Sequence, residues 1–484
     1  MPAVISIDPI TRLEGHLKVE LAIDGSADDQ RVVNALMIGT LFRGFEGLLA
    51  GRDPWDALHI TQRICGVCSI PHAMAAVLAL DQASGNEIPN NGRILRNLVM
   101  GSNFIQSHLL HFYHLTLLDY VSGPNMAPWM PEWNLDRRIH ALANARFVKH
   151  YKMALCMIRI AQEMGAVFGG KMPHSPAFVP GGFTASPSTG KIMQFIKLAE
   201  ELLGFIKSIY AEDVELLAAA YPEYSELGRG YGNLISFGGF ENGLGGDSLL
   251  FRRGVVLAGA SEANSLDMSA ITEQVTHSWY EASSDNLPPA SGQTKPVNPK
   301  TNANGYSWIK APRYQGTPFE TGPLARLWIN GKYRRGISTM DRHRARALET
   351  QMIAEAILEW IQQVAVEQPV YVQNVSPANA QAAGLTEAPR GALGHWVRIE
   401  NGKIARYQII TPTGWNGSPL DSSGQPGPME IALLGVPVKD PNQPIEALRV
   451  IRSFDPCLAC AVHVLKPASP DRMRWFTSRG EAIS

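Results

Sequence analysis

The chain has 484 residues, with 43 lysines and arginines against 44 aspartates and glutamates, for a formal net charge of −1. This balance excludes a global basic field of the kind that seeks nucleic acid or an anionic membrane. Charged residues are 18% and hydrophobic ones 45% of the chain, which excludes a disordered or collagen-like polymer and leaves room for a large core and an uncharged face under a partner.

Length alone suggests about three domains, but the pattern along the chain reads as one helix-dominated body with small β elements near both ends: mainly α, in the α+β class. The first 40 or so residues are β-rich. Leu17–Ile23 alternates, Asp24-Gly25 supplies turn chemistry, and Arg31–Ile38 reads as the returning strand. Met1–Ile10 has no basic stretch ahead of an apolar run, so no signal peptide is expected. Long helices follow over His72–Ala83, Arg93–Tyr120, Leu135–Val167 and Ser188–Leu217, with prolines 124, 128 and 131 separating the second from the third. Leu98–Leu118 lacks acidic and basic residues, yet Asn103, Gln106, Ser107, His108, His111 and His114 make it too polar for lipid, and it reads as a buried helix. Residues 281–323 read as a long irregular excursion. Met340–Val366 resumes as a helix, with Arg346, Glu349 and Glu355 on its polar positions. Trp396–Glu400, Asn401-Gly402 and Lys403–Ile410 form the clearest hairpin, about 396–410.

Four of the five cysteines stand as two Cys-x-x-Cys pairs, Cys65/Cys68 and Cys457/Cys460; Cys156 is left as an ordinary helix residue. So few thiols in so long a chain are not a disulfide scaffold. Two thiolates three positions apart reach one ion, and four with nearby imidazoles suit zinc, nickel or an iron–sulfur cluster. A zinc ribbon keeps its pairs about 15–20 residues apart, whereas Cys68 and Cys457 are 389 positions apart. Closing so large a loop fits a buried functional site better than a local clip; structural zinc and unrelated thiols are the remaining readings. Buried thiolates need a cation, and Arg63 and a metal are the two candidate sources, the alternative for Arg63 being a solvated helix cap. His108, His111 and His114, at three-residue spacing, read as hydrogen-bonded core histidines rather than a metal face.

Six fragments then occur together and in order: Arg12-Leu13-Glu14-Gly15-His16, Phe42-Arg43-Gly44-Phe45-Glu46, Arg63-Ile64-Cys65-Gly66-Val67-Cys68, Phe168-Gly169-Gly170-Lys171-Met172-Pro173-His174, Pro389-Arg390-Gly391-Ala392-Leu393-Gly394-His395-Trp396 and Asp455-Pro456-Cys457-Leu458-Ala459-Cys460-Ala461-Val462-His463. In these, from Asp8 to His463, the chain resembles the large subunit of [NiFe] hydrogenases.

The resemblance implies a catalytic subunit that cleaves H2 reversibly and heterolytically, a nickel–iron hydrogenase or H2:acceptor oxidoreductase. Cys65 and Cys457 would be terminal nickel ligands. Cys68 and Cys460 would bridge to an iron carrying carbonyl and cyanide, and a terminal thiolate such as Cys457 would take the proton of H2. Glu14 matches the first carboxylate of the proton exit, His72 the imidazole that hydrogen-bonds a bridging sulfur, and Arg390 the guanidinium overhanging the metals, with Asp455 as its companion. Many members carry a second aspartate where this chain has Ser107, so part of an acidic ring is missing. Glu46, His463 and a backbone carbonyl near Ile409 look like ligands of a second divalent ion, usually magnesium. The chain has no cysteines left for iron–sulfur clusters, so the expected heterodimer partner is an iron–sulfur small subunit.

Residues 1–463 are expected to form the domain and 464–484 an extension removed on maturation, which adds a maturation endopeptidase and nickel-insertion factors to the partners. Nucleic acid and a direct membrane span are not expected. The expected location is cytoplasmic or membrane-associated through partners, with export alongside the small subunit left open. Two other readings stand beside this one: a hydrogen-sensing regulatory subunit of low turnover, and a structural zinc protein of hydrogenase-like ancestry.

Overall fold

A computed structural model describes residues 2–26, 29–130, 136–243, 248–373 and 375–461, together with the backbone of two short strands at 475–476 and 482–483. The expected α+β architecture is present: long helices carry the body, and small antiparallel sheets lie near both ends of the chain.

Alternation builds the N-terminal sheet. Leu17, Val19, Leu21 and Ile23 are all buried, and their strand, Leu17–Ser26, pairs antiparallel with Ala3–Ile7 and Asp29–Gly39. Its apolar face meets the C-terminal helices Pro428–Leu433 and Ile445–Ser453 in one cluster that contains Met37, Met429, Leu448, Ile451 and Leu458. Burial of that face is what brings the two ends of the chain together.

The helices fall where apolar spacing put them, at Ser69–Ser84, Asn90–Leu110, Ala141–Gly169, Thr189–Phe205 and Thr339–Ile361. The second runs on through a π-turn, His111–Thr116, and is buried protein core. Among the described residues no helix is long and apolar enough to cross a membrane. The helix expected from Leu135 starts only at Ala141, and the one expected to reach Val366 stops at Ile361.

The predicted hairpin is two strands of a three-stranded sheet, Ala380–Ala388, Gly391–Glu400 and Lys403–Ile410. Asn401 and Gly402 both take positive φ, 52° and 70°, as a tight turn with right-handed strand twist requires. At Gly384 an added Cβ would lie 1.9 Å from the carbonyl oxygen of Ala75; glycine lets this strand press onto the helix that follows Cys68. The link between the first two strands is Pro389-Arg390, so sheet packing delivers Arg390 toward the first cysteine pair. The 281–323 excursion is irregular as expected, with three-residue turns and one short strand, Ala311–Tyr314, paired to Ile271–Gln274.

Arg346 and Glu349, polar positions of the Thr339–Ile361 helix, are 2% and 0% exposed. Glu349 accepts two hydrogen bonds from Arg326, at 2.6 and 2.7 Å, and one from His108 at 2.9 Å. The partner of Glu349 comes from another element, so sequence spacing alone does not tell a buried charged stripe from a solvated one.

Candidate metal centre

Cys65 leaves the short turn Gln62–Ile64 in an extended conformation, and Cys68 caps the Ser69–Ser84 helix. The loop between them turns inward, so the N–H groups of Val67 and Cys68 donate to Cys65 Sγ at 3.3 and 3.4 Å. Asn103 secures the loop from outside, its Nδ2 donating to the Val67 carbonyl at 2.9 Å. The second pair sits on a single helical turn, Leu458–Ala461. It is entered through Asp455 at φ 56° and held by the Cys457 N–H, which donates to Thr413 Oγ1 at 2.9 Å.

These segments bring the four sulfurs together in a fully buried cluster. Cys65–Cys457 is 3.5 Å, Cys68–Cys460 2.9 Å and Cys457–Cys460 3.1 Å, and all four lie within 4.8 Å of one another. All are free thiols; a disulfide would need about 2.05 Å. An ion with about 2.3 Å bonds to sulfur sets neighbouring sulfurs a little under 4 Å apart, so the cluster has the span of a shared metal site. Its electrostatics point the same way. Burial resists charge on Cys65, yet hydrogen bonds from Cys457, Cys460 and Cys68 and the charge of Arg390 hold it well below the usual thiol range. Cys68 is pushed well up, first by Cys457, and Cys460 is pushed well up, first by burial. Without a cation one thiolate forms at the expense of its neighbours; four together require metal.

Arg390 and Asp455 form a buried pair beside the sulfurs, Nη2 to Oδ1 at 3.0 Å, and Arg390 Nε donates to the Asp455 carbonyl at 2.9 Å. Ser107 Oγ lies 3.5 Å from Arg390 Nη1. The chain therefore places a hydroxyl against this guanidinium, where the acidic ring would continue. Arg63, by contrast, is exposed. The positive charge at the cluster comes from Arg390, and Arg43 binds the carbonyls of both Ile64 and Ala459, tying the two cysteine segments together.

Glu14 follows from the meeting of the chain ends. It forms a parallel bridge with Cys457, and its carbonyl accepts from the Leu458 N–H at 2.6 Å. Its carboxyl pKa is raised, first by burial and then by the charge of Cys65, against Arg390, Arg43 and His16. Glu14, Gly15, His16, Leu41, Arg43, Leu458 and Ala459 line a cavity of about 150 Å³. His72 is buried, with its pKa pushed down to about 4 by burial. Its Nδ1 pairs with His395 Nε2 at 3.1 Å, and His395 Nδ1 with Tyr407 Oη at 2.9 Å. His108 and His111 are core histidines bonded to Glu349 and to the Arg452 carbonyl, and His114 packs on Tyr151. Cys156 is exposed on its helix.

Glu46 lies at a second polar point. Oε1 accepts from the Ile409 N–H at 3.0 Å and Oε2 from Thr294 Oγ1 at 2.5 Å. In a strand, N–H and C=O of one residue point to the same edge, so the Ile409 carbonyl shares that side. Glu46, Glu273, Lys310, Ile409, Thr411 and Ala461 are among the residues lining a cavity of about 20 Å³, the size of one water or ion. Burial raises Glu273 to about 7 despite Lys310 at 3.6 Å. His463 lies outside the described residues.

Arg43, Thr413, Asn103, His395 and Tyr407 were given no role by sequence reasoning. Arg43 and His395 sit inside quoted fragments and could have been found there. The Thr413 contact crosses 44 positions and leaves no sequence signal.

The profile of the nickel-dependent hydrogenase family matches residues 43–132, 124–337 and 330–463, and a HoxL-like profile matches 4–36. The chain belongs to the nickel-dependent hydrogenase large-subunit family. It is 41% identical to the periplasmic [NiFeSe] hydrogenase large subunit of Desulfomicrobium baculatum over 95% of both chains. To the uptake hydrogenase large subunit of Rhizobium leguminosarum bv. viciae it is 32% identical, over 97% of this chain and 96% of that one. Its fold superposes on the Ni-Fe-Se hydrogenase of D. vulgaris Hildenborough with a TM-score of 0.92, at 40% identity, over 96% of this chain and 100% of that chain. The hydrogenase large subunit described here is thus the catalytic subunit of an oxidoreductase that interconverts H2 with protons and electrons, and it works with a small-subunit partner.

Proposed function

We propose that Cys65 and Cys457 hold nickel as terminal ligands and that Cys68 and Cys460 bridge it to an iron bearing carbonyl and cyanide. The observation that carries this reading is the convergence of four buried sulfurs from opposite ends of the chain. Such a centre, when bound, polarises H2 and accepts its electrons. The chain's own residues do the rest. Arg390 keeps a fixed positive charge over the sulfurs, since guanidinium does not deprotonate, and Asp455 orients it. The Cys457 sulfur receives the proton, and Glu14, whose raised pKa suits a group that takes up and releases protons, passes it toward the cavity at His16. His72, neutral through burial, orients the cysteine helix through His395. Electrons leave to the iron–sulfur clusters of the small subunit.

Glu46, the Ile409 carbonyl and His463 form the second-cation site, with magnesium as its ion. Residues 1–463 are the mature domain, and 464–484 are removed by an endopeptidase after nickel-insertion factors act. The location follows from the partners, as cytoplasmic or membrane-associated, or exported with the small subunit.

The test is infrared spectroscopy with metal analysis on the chain purified with its small subunit. Nickel, iron and bands from iron-bound carbonyl and cyanide are expected. Zinc alone, without those bands, overturns the reading. Ser107 beside Arg390, in place of a carboxylate, is the feature that keeps the regulatory H2-sensing alternative in view, and brisk H2-dependent dye reduction would disfavour it. Intact mass of the mature chain tests the trimming.

A further inference from the structure

We propose that Arg346 is a positioning residue of the metal centre: it holds the chain entering the second cysteine pair and gives Asp455 a second fixed positive charge beside Arg390. The inference rests on the nickel–iron reading above and adds to it a residue from another helix.

The Thr339–Ile361 helix starts in a capping box in which the Ser338 and Asp341 side chains each take the other's backbone N–H, which fixes its entry. Arg342, Arg346 and Glu349 then recur at four- and three-residue spacing on a buried stripe. Arg342 is paired with Glu320 at 2.7 Å and Glu349 with Arg326 at 2.6 Å. Arg346, between them, forms no ion pair among the described residues. Its Nη2 donates to the Ser453 carbonyl at 3.0 Å and its Nη1 to the Arg342 carbonyl at 3.4 Å, while Nε has no partner.

Ser453 is the last residue of the Ile445–Ser453 helix, whose final carbonyls have no partner within the helix and carry its partial negative charge. His111 Nε2 lies 2.6 Å from the preceding carbonyl, Arg452, and Arg390 Nε donates to that of Asp455. Three donors from three separate elements thus hold carbonyls of residues 452, 453 and 455. Directly after them the backbone passes through Asp455 at positive φ and into Cys457, a conformation that persists only when its surroundings enforce it.

The charges agree with the contacts. Asp455 uses Oδ1 on Arg390, and its buried Oδ2 has no hydrogen-bond partner among the described residues. Burial pushes the Arg346 pKa down from the usual guanidinium range, and the charge of Asp455 is the largest influence opposing it. One carboxylate between two buried guanidiniums leaves a net positive charge, and a buried cation without its own anion is retained where other negative charge repays it. Part of that charge is close by, since Arg326 binds two carboxylates, Glu349 and Glu387, and Glu349 acts on Arg346 as well.

The test compares R346M, which removes charge and donors, with R346K, which keeps the charge, both purified with the small subunit. In R346M the iron-ligand infrared bands should move to lower wavenumber, as a withdrawn positive charge leaves more electron density on iron. The kcat of H2-dependent dye reduction should fall about tenfold at unchanged KM for H2. In R346K the bands should return toward the wild-type position. A metal-loaded R346M with wild-type bands and kcat, altered only in melting temperature, overturns the proposal, as does an R346K whose bands are displaced as far as those of R346M. If R346M accumulates without nickel and iron, R346K decides alone by the same criterion. A wild-type preparation lacking the bands refutes the nickel–iron reading, and this inference with it, before any variant is compared.

Discussion

Gly15→Ala should disable the metal centre without touching a ligand. Gly15 has φ 86°, and a Cβ built on it lies 2.4 Å from the Ala459 nitrogen and 2.8 Å from the Leu458 carbonyl carbon. Ordinary contact begins near 3.4 Å, so one backbone must move by about 1 Å. Neither side yields freely: Glu14 is bridged to Cys457, and its carbonyl is bonded to the Leu458 N–H. The displacement therefore passes to Glu14 or to the turn carrying Cys457 and Cys460. The backbone conformation itself costs about 1–3 kcal/mol for a non-glycine residue, while a 1 Å misplacement at reacting groups costs on the order of a hundredfold in rate. Gly259→Ala is the control, because φ there is 79° and nothing lies within 4 Å of the added Cβ. Both variants should lose a little thermal stability. Only G15A should lose nickel, measured by elemental analysis, or about a hundredfold in H2-dependent dye reduction. A G15A enzyme with full nickel and near-wild-type turnover would refute the argument that this glycine exists to let the two chain ends touch.

Glu14→Gln removes the titrating group and keeps the shape; metal content and infrared bands should persist while dye reduction falls on the order of a hundredfold, and retained turnover would remove Glu14 from the proton route. Glu349→Gln removes one of the two carboxylates on buried Arg326, leaving Glu387, and weakens the acceptor of His108; it should cost about 2 kcal/mol, read from denaturation midpoints, and a surface-like change within about 0.5 kcal/mol would show that Glu349 is not holding Arg326 and His108. Burial raises Glu430 to about 7, above the roughly 4.3 of an unfolded glutamate, so between those values the folded chain holds a proton that the unfolded chain has released. Its contribution is then full below about pH 4.3 and lost as pH rises through 7, about 3 kcal/mol in all. The stability gap between wild type and E430Q should shrink by about that amount from pH 4.5 to pH 8, and a pH-independent gap would contradict the assignment.

What was legible in the sequence follows the range of the interaction. Strand alternation in Leu17–Ile23, the Asn401-Gly402 turn and the apolar spacing of Asn90–Leu110 are local, and each appears where the pattern put it. The cysteine pairs were legible because their chemistry is rare at any spacing. The surroundings of the pairs were not: Thr413 reaches Cys457, Arg43 bridges Ile64 and Ala459, and Arg346 reaches Ser453, all through contacts that only the folded chain creates. Of the two readings of Arg63, the exposed side chain agrees with the solvated one, since adjacency in sequence to Cys65 did not turn it inward.

The low charge content takes on a different meaning in this light. It was read as room for a large core and a partner face, but much of the charge that the chain does have is inside. Arg93, Arg96, Arg313, Arg326, Arg342, Arg346, Arg390, Arg449 and Arg452 are all buried. Most are matched: Arg96 by Asp81, Arg313 by Asp421, Arg326 by Glu349 and Glu387, Arg342 by Glu320, Arg390 by Asp455 and Arg452 by Asp119. Arg449 is held by carbonyls and the faces of Tyr120, Tyr221 and Tyr224. Apolar packing of equal volume would serve stability as well as such pairs do, so stability alone does not account for this lattice. It fixes the directions of its members, and those next to Asp455 converge on the segment that presents Cys457 and Cys460. A centre assembled from the two ends of a long chain needs its ligands held by groups that cannot slide. Buried guanidiniums, each binding two or more oxygens in fixed directions, meet that need where aliphatic contacts would not.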